Sequence, residues 1–136
     1  MDRGIEADFI KRFCRKEVRE RLIYELSSEK KRKHALSRFS HRYEDLFILR
    51  RMIEIPKPNS DVQRIYEILL NHKADNVSYC ISWNVEIDGK KLPLLEALQA
   101  AVGFGQPSIL VCGERLSYFE AEQEAGPPRR FLLDVD

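Results

Sequence analysis

The sequence predicts an α+β protein in which basic N-terminal helices pack with a small mixed β-sheet. Residues 5–50 contain no proline and are rich in Leu, Glu, Lys and Arg, a composition that favours helices. After Pro56 the pattern changes to short apolar runs separated by turn residues. These runs, with one helical segment among them, predict the order β-α-β-β-β for the C-terminal half.

The chain divides at the segment Pro56–Asn59, because two prolines in three residues stop regular structure. We expect residues 1–136 to form a single domain, with a helical basic half 1–55 and an α/β acidic half 60–136. Up to Ile53 the chain carries 15 Lys and Arg against 9 Asp and Glu, whereas the remainder carries 8 against 13. The basic half can therefore face an anionic partner, or the two halves can attract each other.

Two features of the helical pattern locate helix ends. The apolar residues up to Cys14 lie on one side of a helical wheel and those from Val18 lie almost opposite, which predicts a break near residues 15–17. Beyond the junction, Ser60 and Gln63 form a capping-box pattern ahead of an amphipathic helix.

The longest β-type pattern is the strict alternation from Val77 to Ile87. It predicts a half-buried strand with Val77, Tyr79, Ile81, Trp83, Val85 and Ile87 on the core face and Ser78, Cys80, Ser82, Asn84 and Glu86 on the polar face. Asp88-Gly89 is typical of a turn. A helix is expected from Pro93 to Val102, ending at Gly103.

The last part of the chain predicts a hairpin and one further strand. Ser108–Cys112 is a short apolar run, Gly113-Glu114 can turn the chain, and Leu116–Ala121 returns as a strand. Phe131–Val135 is expected to add a last edge strand. Three alternating acidic residues are interpreted as edge residues that discourage strand pairing: Glu120, Glu122 and Glu124.

The cysteines and the apolar segments bear on location. Cys14, Cys80 and Cys112 are an odd number without paired spacing, so we expect free thiols in a reducing compartment. The start of the chain lacks the apolar core of a signal peptide, and the apolar stretch Leu94–Phe104 is too short to span a bilayer. The expectation is a soluble cytoplasmic protein without a membrane partner.

A run of cations is the clearest candidate for a binding surface. If the helix before it continues through Lys33, the cations lie at a helix C-terminus, where the helix dipole favours them. If Ser27 or Ser28 begins a new helix, they crowd its N-terminus and would favour an anion. We expect the whole cluster to be solvent exposed, since Glu29 is the nearest carboxylate in sequence. Its members are Lys30, Lys31, Arg32, Lys33, Arg38 and Arg42.

The sequence shows no clear catalytic grouping. We therefore expect a small intracellular, non-enzymatic binding or adaptor protein that engages another macromolecule, most simply another protein. One alternative is a non-specific nucleic-acid-binding protein that contacts phosphates through the basic N-terminal half. A second alternative is a thiol-dependent enzyme with Cys80 as nucleophile and His72 as its base. Neither a cofactor nor a metal ion is predicted, because His34 and His41 together would supply only two ligands.

Overall fold

The computed structural model describes residues 1–135. The helices are α1 (Arg3–Phe13), α2 (Lys16–Ser27), α3 (Arg32–His41), α4 (Tyr43–Leu46), α5 (Val62–Asn71) and α6 (Leu94–Ala101). The strands are β1 (Met52–Glu54), β2 (Val77–Ser82), β3 (Lys91–Pro93), β4 (Ser108–Val111), β5 (Leu116–Glu120) and β6 (Arg130–Asp134). A 3-10 turn at Leu49–Arg51 leads into β1.

The strands form one sheet in the order β1-β6-β5-β4-β2-β3. The α+β class and the basic N-terminal helices are confirmed, but every strand pair within residues 1–135 is antiparallel, so the sheet is not mixed as expected. The reason is the position of β2. Strands β3 and β4, joined by α6, run in the same direction, yet β2 lies between them and no parallel pair forms.

Helices cover both faces of this sheet. The first face packs against α1 to α4 and presents Tyr79, Ile81, Ile109, Phe119, Phe131 and Leu133 to them. The second face packs against α5 and α6 and presents Cys80, Leu110, Tyr118 and Leu132. Because successive residues of a strand point to opposite faces, each central strand supplies both cores.

The helical half breaks where the change of apolar face predicted it. Helix α1 ends at Phe13 and α2 begins at Lys16. At the break, the Arg15 N–H donates to the Leu46 carbonyl and the Ile48 N–H donates to the Phe13 carbonyl, both at 2.8 Å. The end of α4 and the residues just after it therefore satisfy backbone groups that a continuous helix would have paired internally.

Strand β2 is shorter and more deeply buried than predicted. Tyr79 and Ile81 are buried as expected, but Val77 is 53% exposed. The opposite face is not solvated, because α5 and α6 cover it and leave Ser78, Cys80 and Ser82 each at 1% exposure or less. The strand ends at Ser82 rather than near Ile87.

Several other element boundaries differ from expectation. Helix α5 is capped by Asp61, whose side chain accepts the N–H groups of Gln63 and Arg64, and not by Ser60. Strand β6 is internal rather than an edge, because the unpredicted strand β1 pairs with its outer side.

Two other predictions are confirmed. Strands β4 and β5 form the expected hairpin, and α6 ends just before Gly103, which takes a positive φ of 84°.

Candidate functional site

The buried guanidinium of Arg32 organises the most polar part of the first core. Its side chain donates to both Glu6 oxygens at 2.7 Å, to both Asp88 oxygens at 2.8 Å, and to the Leu26 carbonyl at 3.0 Å. Arg32 is only 7% exposed. The expectation that the whole basic cluster is solvent exposed is therefore wrong for this residue, since carboxylates distant in sequence neutralise it.

The turn before α3 shows how Arg32 reaches this position. Helix α2 ends at Ser27, and a new helix begins at Arg32, with its N–H bonded to the Ser28 carbonyl at 2.9 Å. Neither alternative for this boundary holds as stated: α2 ends before the cations, and the new helix has Lys31, not Ser27 or Ser28, as its N-cap residue. Arg32 shares a helix face with Ala35, Leu36 and Phe39, all buried, and this spacing is a signal that the sequence carried.

Tyr79 extends the network toward the start of the chain. Its hydroxyl donates to Glu6 at 2.6 Å and accepts the Asp2 backbone N–H at 2.9 Å. Burial, together with the hydrogen bond to Glu6, raises the pKa of Tyr79 above its ordinary value of 10. The phenol therefore stays protonated at neutral pH and serves as a fixed donor.

The segment after β2 is a tight turn held by its own polar groups. The Asn84 carbonyl accepts the N–H groups of Ile87 and Asp88, and the Asn84 side chain accepts the Glu86 N–H at 3.1 Å. The Asp88 carboxylate accepts the Ser82 N–H at 3.0 Å while it binds Arg32. These bonds end β2 early and place Val85 at the tip of the turn, where it is 77% exposed.

A cleft of about 450 Å³ lies between this turn, α3 and the start of α1. We call it the Trp83 cleft. The indole Nε1 of Trp83 is buried and has no hydrogen-bond partner within residues 1–135. The lining residues are Met1, Arg3, Leu26, Ser27, Glu29, Arg32, Lys33, Leu36, Ser82, Trp83, Val85 and Asp88.

The remaining members of the predicted cluster separate into two groups. Arg38 donates to both Glu25 oxygens at 2.9 and 3.0 Å, and exposed Arg42 lies 3.5 Å from Asp45. Lys30, Lys31 and Lys33 are exposed, and no carboxylate in the described part of the chain forms an ion pair with them. Only Lys33 of these three lines the Trp83 cleft.

The structure does not bring Cys80 and His72 together as a reactive pair. Cys80 is fully buried in β2, where burial raises the pKa of its thiol to about 11. The His72 Nδ1 lies 3.3 Å from an Asp134 oxygen instead. All three cysteines are free, as expected, and all are buried. A protonated thiol without solvent access is a poor nucleophile.

A second buried polar group crosses the opposite face of the sheet. Ser82, Ser108, Glu120 and Arg130 are successive cross-strand neighbours in β2, β4, β5 and β6, and none is more than 1% exposed. Glu120 accepts hydrogen bonds from Arg130 at 2.8 Å and Tyr118 at 2.7 Å. We call these four residues the polar row.

The polar row corrects one interpretation of the sequence. Glu120 does not discourage pairing at an edge, because it lies inside the sheet with Arg130 as its counter-ion. The Arg130 guanidinium also donates to the side-chain oxygen and the backbone carbonyl of Asn59, at 2.8 and 3.1 Å. The polar row joins the segment Pro56–Asn59 to the sheet. Because it is buried on the face of the sheet that forms the second core, its role is structural.

Comparison with known proteins gives no match: no family model, curated protein or solved structure is significantly similar to this chain. Within residues 1–135, no helix has the length and apolar character needed to cross a bilayer. No group of three or more His, Cys, Asp or Glu side chains among those residues is arranged to hold a metal ion.

Proposed function

We propose that this chain is a non-enzymatic binding protein that engages another protein through the Trp83 cleft. The observation that carries the proposal is the exposure of two large apolar side chains at the cleft, Val85 at 77% and Met1 at 70%. Both side chains line the same cleft, and exposed apolar surface that is contiguous marks interaction sites, whereas single exposed apolar residues do not. The three free thiols are compatible with a reducing compartment, so a cytoplasmic location is part of the proposal.

The shape of the site also supports binding. The turn that presents Val85 is fixed by Asn84 and Asp88, and Asp88 is in turn fixed by Arg32. A surface that is ordered before the partner arrives loses less conformational entropy when the complex forms. The cleft is therefore organised for recognition in the unbound protein.

The two alternative functions have less support. The buried thiols disfavour a cysteine nucleophile, because burial raises the pKa of Cys80 to about 11 and that of Cys112 to about 12. Phosphate binding loses two of its proposed contacts, since Arg32 and Arg38 are already paired with carboxylates. Nucleic-acid binding predicts a different result, salt-sensitive affinity for DNA or RNA, and the experiment below therefore measures it as well.

The experiment selects binders from a phage-displayed library of random 12-residue peptides, using the wild-type protein as bait. Selected peptides should lose binding to Val85→Asp, which places a charge at the centre of the apolar surface. Val77→Asp is the matched control, because Val77 is the same residue type, is 53% exposed and lines a different cleft. It should bind the peptides as the wild type does.

Two results would contradict the proposal. One is a set of selected peptides whose affinity is the same for Val85→Asp and the wild type. The other is salt-sensitive binding to duplex DNA or RNA that disappears when Lys30, Lys31 and Lys33 are replaced by Ser, without any peptide binding. Circular dichroism of each variant establishes that the fold is retained.

A further inference from the structure

We infer that the partner segment in the Trp83 cleft is acidic, with apolar side chains that contact Val85 and Asp or Glu residues that lie beside Arg3 and Lys33. The inference rests on the proposed function, because it identifies the chemistry of the partner at that same cleft. It follows from three features of the cleft: the charges at its rim, the N-terminus of α3 and the apolar lining.

The rim of the cleft has more cationic than anionic charge. Arg3 donates to the Ser27 carbonyl at 3.4 Å, and Lys33 extends from the first turn of α3; neither forms an ion pair with a carboxylate among residues 1–135. Lys30 and Lys31 are exposed on the adjacent turn. The cleft is lined by two carboxylates, Glu29 and Asp88, and Asp88 is already paired with Arg32. An incoming acidic segment is therefore attracted.

The floor of the cleft does not cancel this attraction. Arg32 binds Glu6 and Asp88 through paired hydrogen bonds of 2.7 to 2.8 Å, so these charges are already compensated by short contacts. The Tyr79 hydroxyl donates to Glu6, and the Ser82 N–H donates to Asp88. Both carboxylates thus point toward donors of the protein, and only Asp88 of the two lines the cleft, while the rim cations remain available to a ligand.

The N-terminus of α3 adds to the positive potential. Its N-cap residue, Lys31, makes no side-chain capping bond, and the first turn of this ten-residue helix contains no acidic residue. The helix dipole therefore adds partial positive charge at the turn that carries Lys33. A carboxylate from the partner would supply the capping charge that the sequence omits.

The apolar lining favours a protein segment over a nucleic acid. Leu26, Leu36, Trp83 and Val85 line the cleft, and these side chains suit apolar side chains of a peptide. A volume of about 450 Å³ accommodates one or two side chains rather than a whole domain.

The test compares two pools of labelled 12-residue peptides with apolar residues at the same central positions. One pool carries Asp or Glu at the flanking positions, and the other carries Lys or Arg. Fluorescence anisotropy should show about a tenfold preference of the wild type for the acidic pool, decreasing as salt is added. The double variant Arg3→Glu/Lys33→Glu should prefer the basic pool.

The charge-reversed variant should fold, because both substitutions place an acidic residue in the first turn of a helix, where the dipole favours it. The control is Lys57→Glu/Arg64→Glu, which reverses two exposed cations elsewhere and should keep the preference for the acidic pool. Circular dichroism and the urea midpoint of each variant verify the fold.

The outcomes separate the two proposals. If both pools bind equally and Val85→Asp abolishes both, the proposed function stands and the inference about charge is wrong. If neither pool binds, or Val85→Asp has no effect, the proposed function itself fails and the inference fails with it. If the acidic pool binds the wild type and the reversed variant selects the basic pool, both are supported.

Discussion

Replacing Arg32 with methionine should destabilise the protein by about 3–5 kcal/mol, the usual cost of removing one partner of a buried ion pair. The side chains of Arg32, Glu6 and Asp88 are 8%, 3% and 12% exposed. Four of the five hydrogen bonds from the guanidinium go to the two carboxylates, which would keep their charge without a counter-ion. Because methionine retains most of the apolar stem of Arg32, the loss of stability reports mainly the missing ion pairs with Glu6 and Asp88.

The measurement is urea unfolding followed by far-UV circular dichroism and by the fluorescence of Trp83, the single tryptophan. The control is Lys33→Met on the same turn, which should change the free energy of unfolding by no more than about 0.5 kcal/mol, because Lys33 is exposed. Arg32→Lys should be intermediate, since an ammonium keeps the charge but lacks the fork that binds two carboxylates. A loss below about 1 kcal/mol in Arg32→Met would refute the reasoning, because that is the range of surface pairs.

Three further predictions concern other parts of the fold. The hydrogen bond from Arg38 lowers the pKa of Glu25 below its ordinary value of 4.5, so this pair stabilises the protein above that pH, and its contribution is lost as the pH falls through the folded pKa. Glu25→Gln should therefore cost about 1–3 kcal/mol in unfolding experiments at pH 7 and progressively less below pH 4.5; a constant difference would contradict this. Ile81→Ala should cost about 2–5 kcal/mol because Ile81 is fully buried, whereas Val77→Ala should cost about 0.5 kcal/mol or less; similar losses would show that the burial pattern of β2 is wrong. A thiol reagent at pH 8 should modify Cys80 and the other two cysteines only after unfolding in denaturant, and rapid reaction of the native protein would exclude their burial.

Local patterns predicted several elements. The break before Lys16 and helix α5 follow from the spacing of apolar residues, and the hairpin of β4 and β5 follows from two apolar runs separated by turn residues. The short strands β1 and β3 could not be found in this way, because three residues are too few to show a period. The end of β2 was missed because the side chain of Asn84, rather than hydropathy, closes the turn.

The candidate site was harder to predict because its contacts are distant in sequence. The sequence draws attention to the basic run, but it cannot show that Arg32 turns inward, because this depends on Glu6 and Asp88, which are 26 and 56 residues away from Arg32. Exposure of Val85 followed from the same turn that shortened β2. The alternation of apolar and polar residues would place Val85 in the core only if β2 continued to that residue, but β2 ends at Ser82.

The polar row has a consequence for how the sheet acquires its alignment during folding. A slip of one residue between β5 and β6 would turn Arg130 toward Phe119 on the other face, and a slip of two would separate it from Glu120 by about 7 Å along the strand. Either error leaves a buried charge unpaired, at a cost of several kcal/mol. Apolar pairs such as Tyr118 and Leu132 tolerate exchange of neighbours far better. The polar row therefore favours the native register of β5 and β6 over registers shifted by one or two residues.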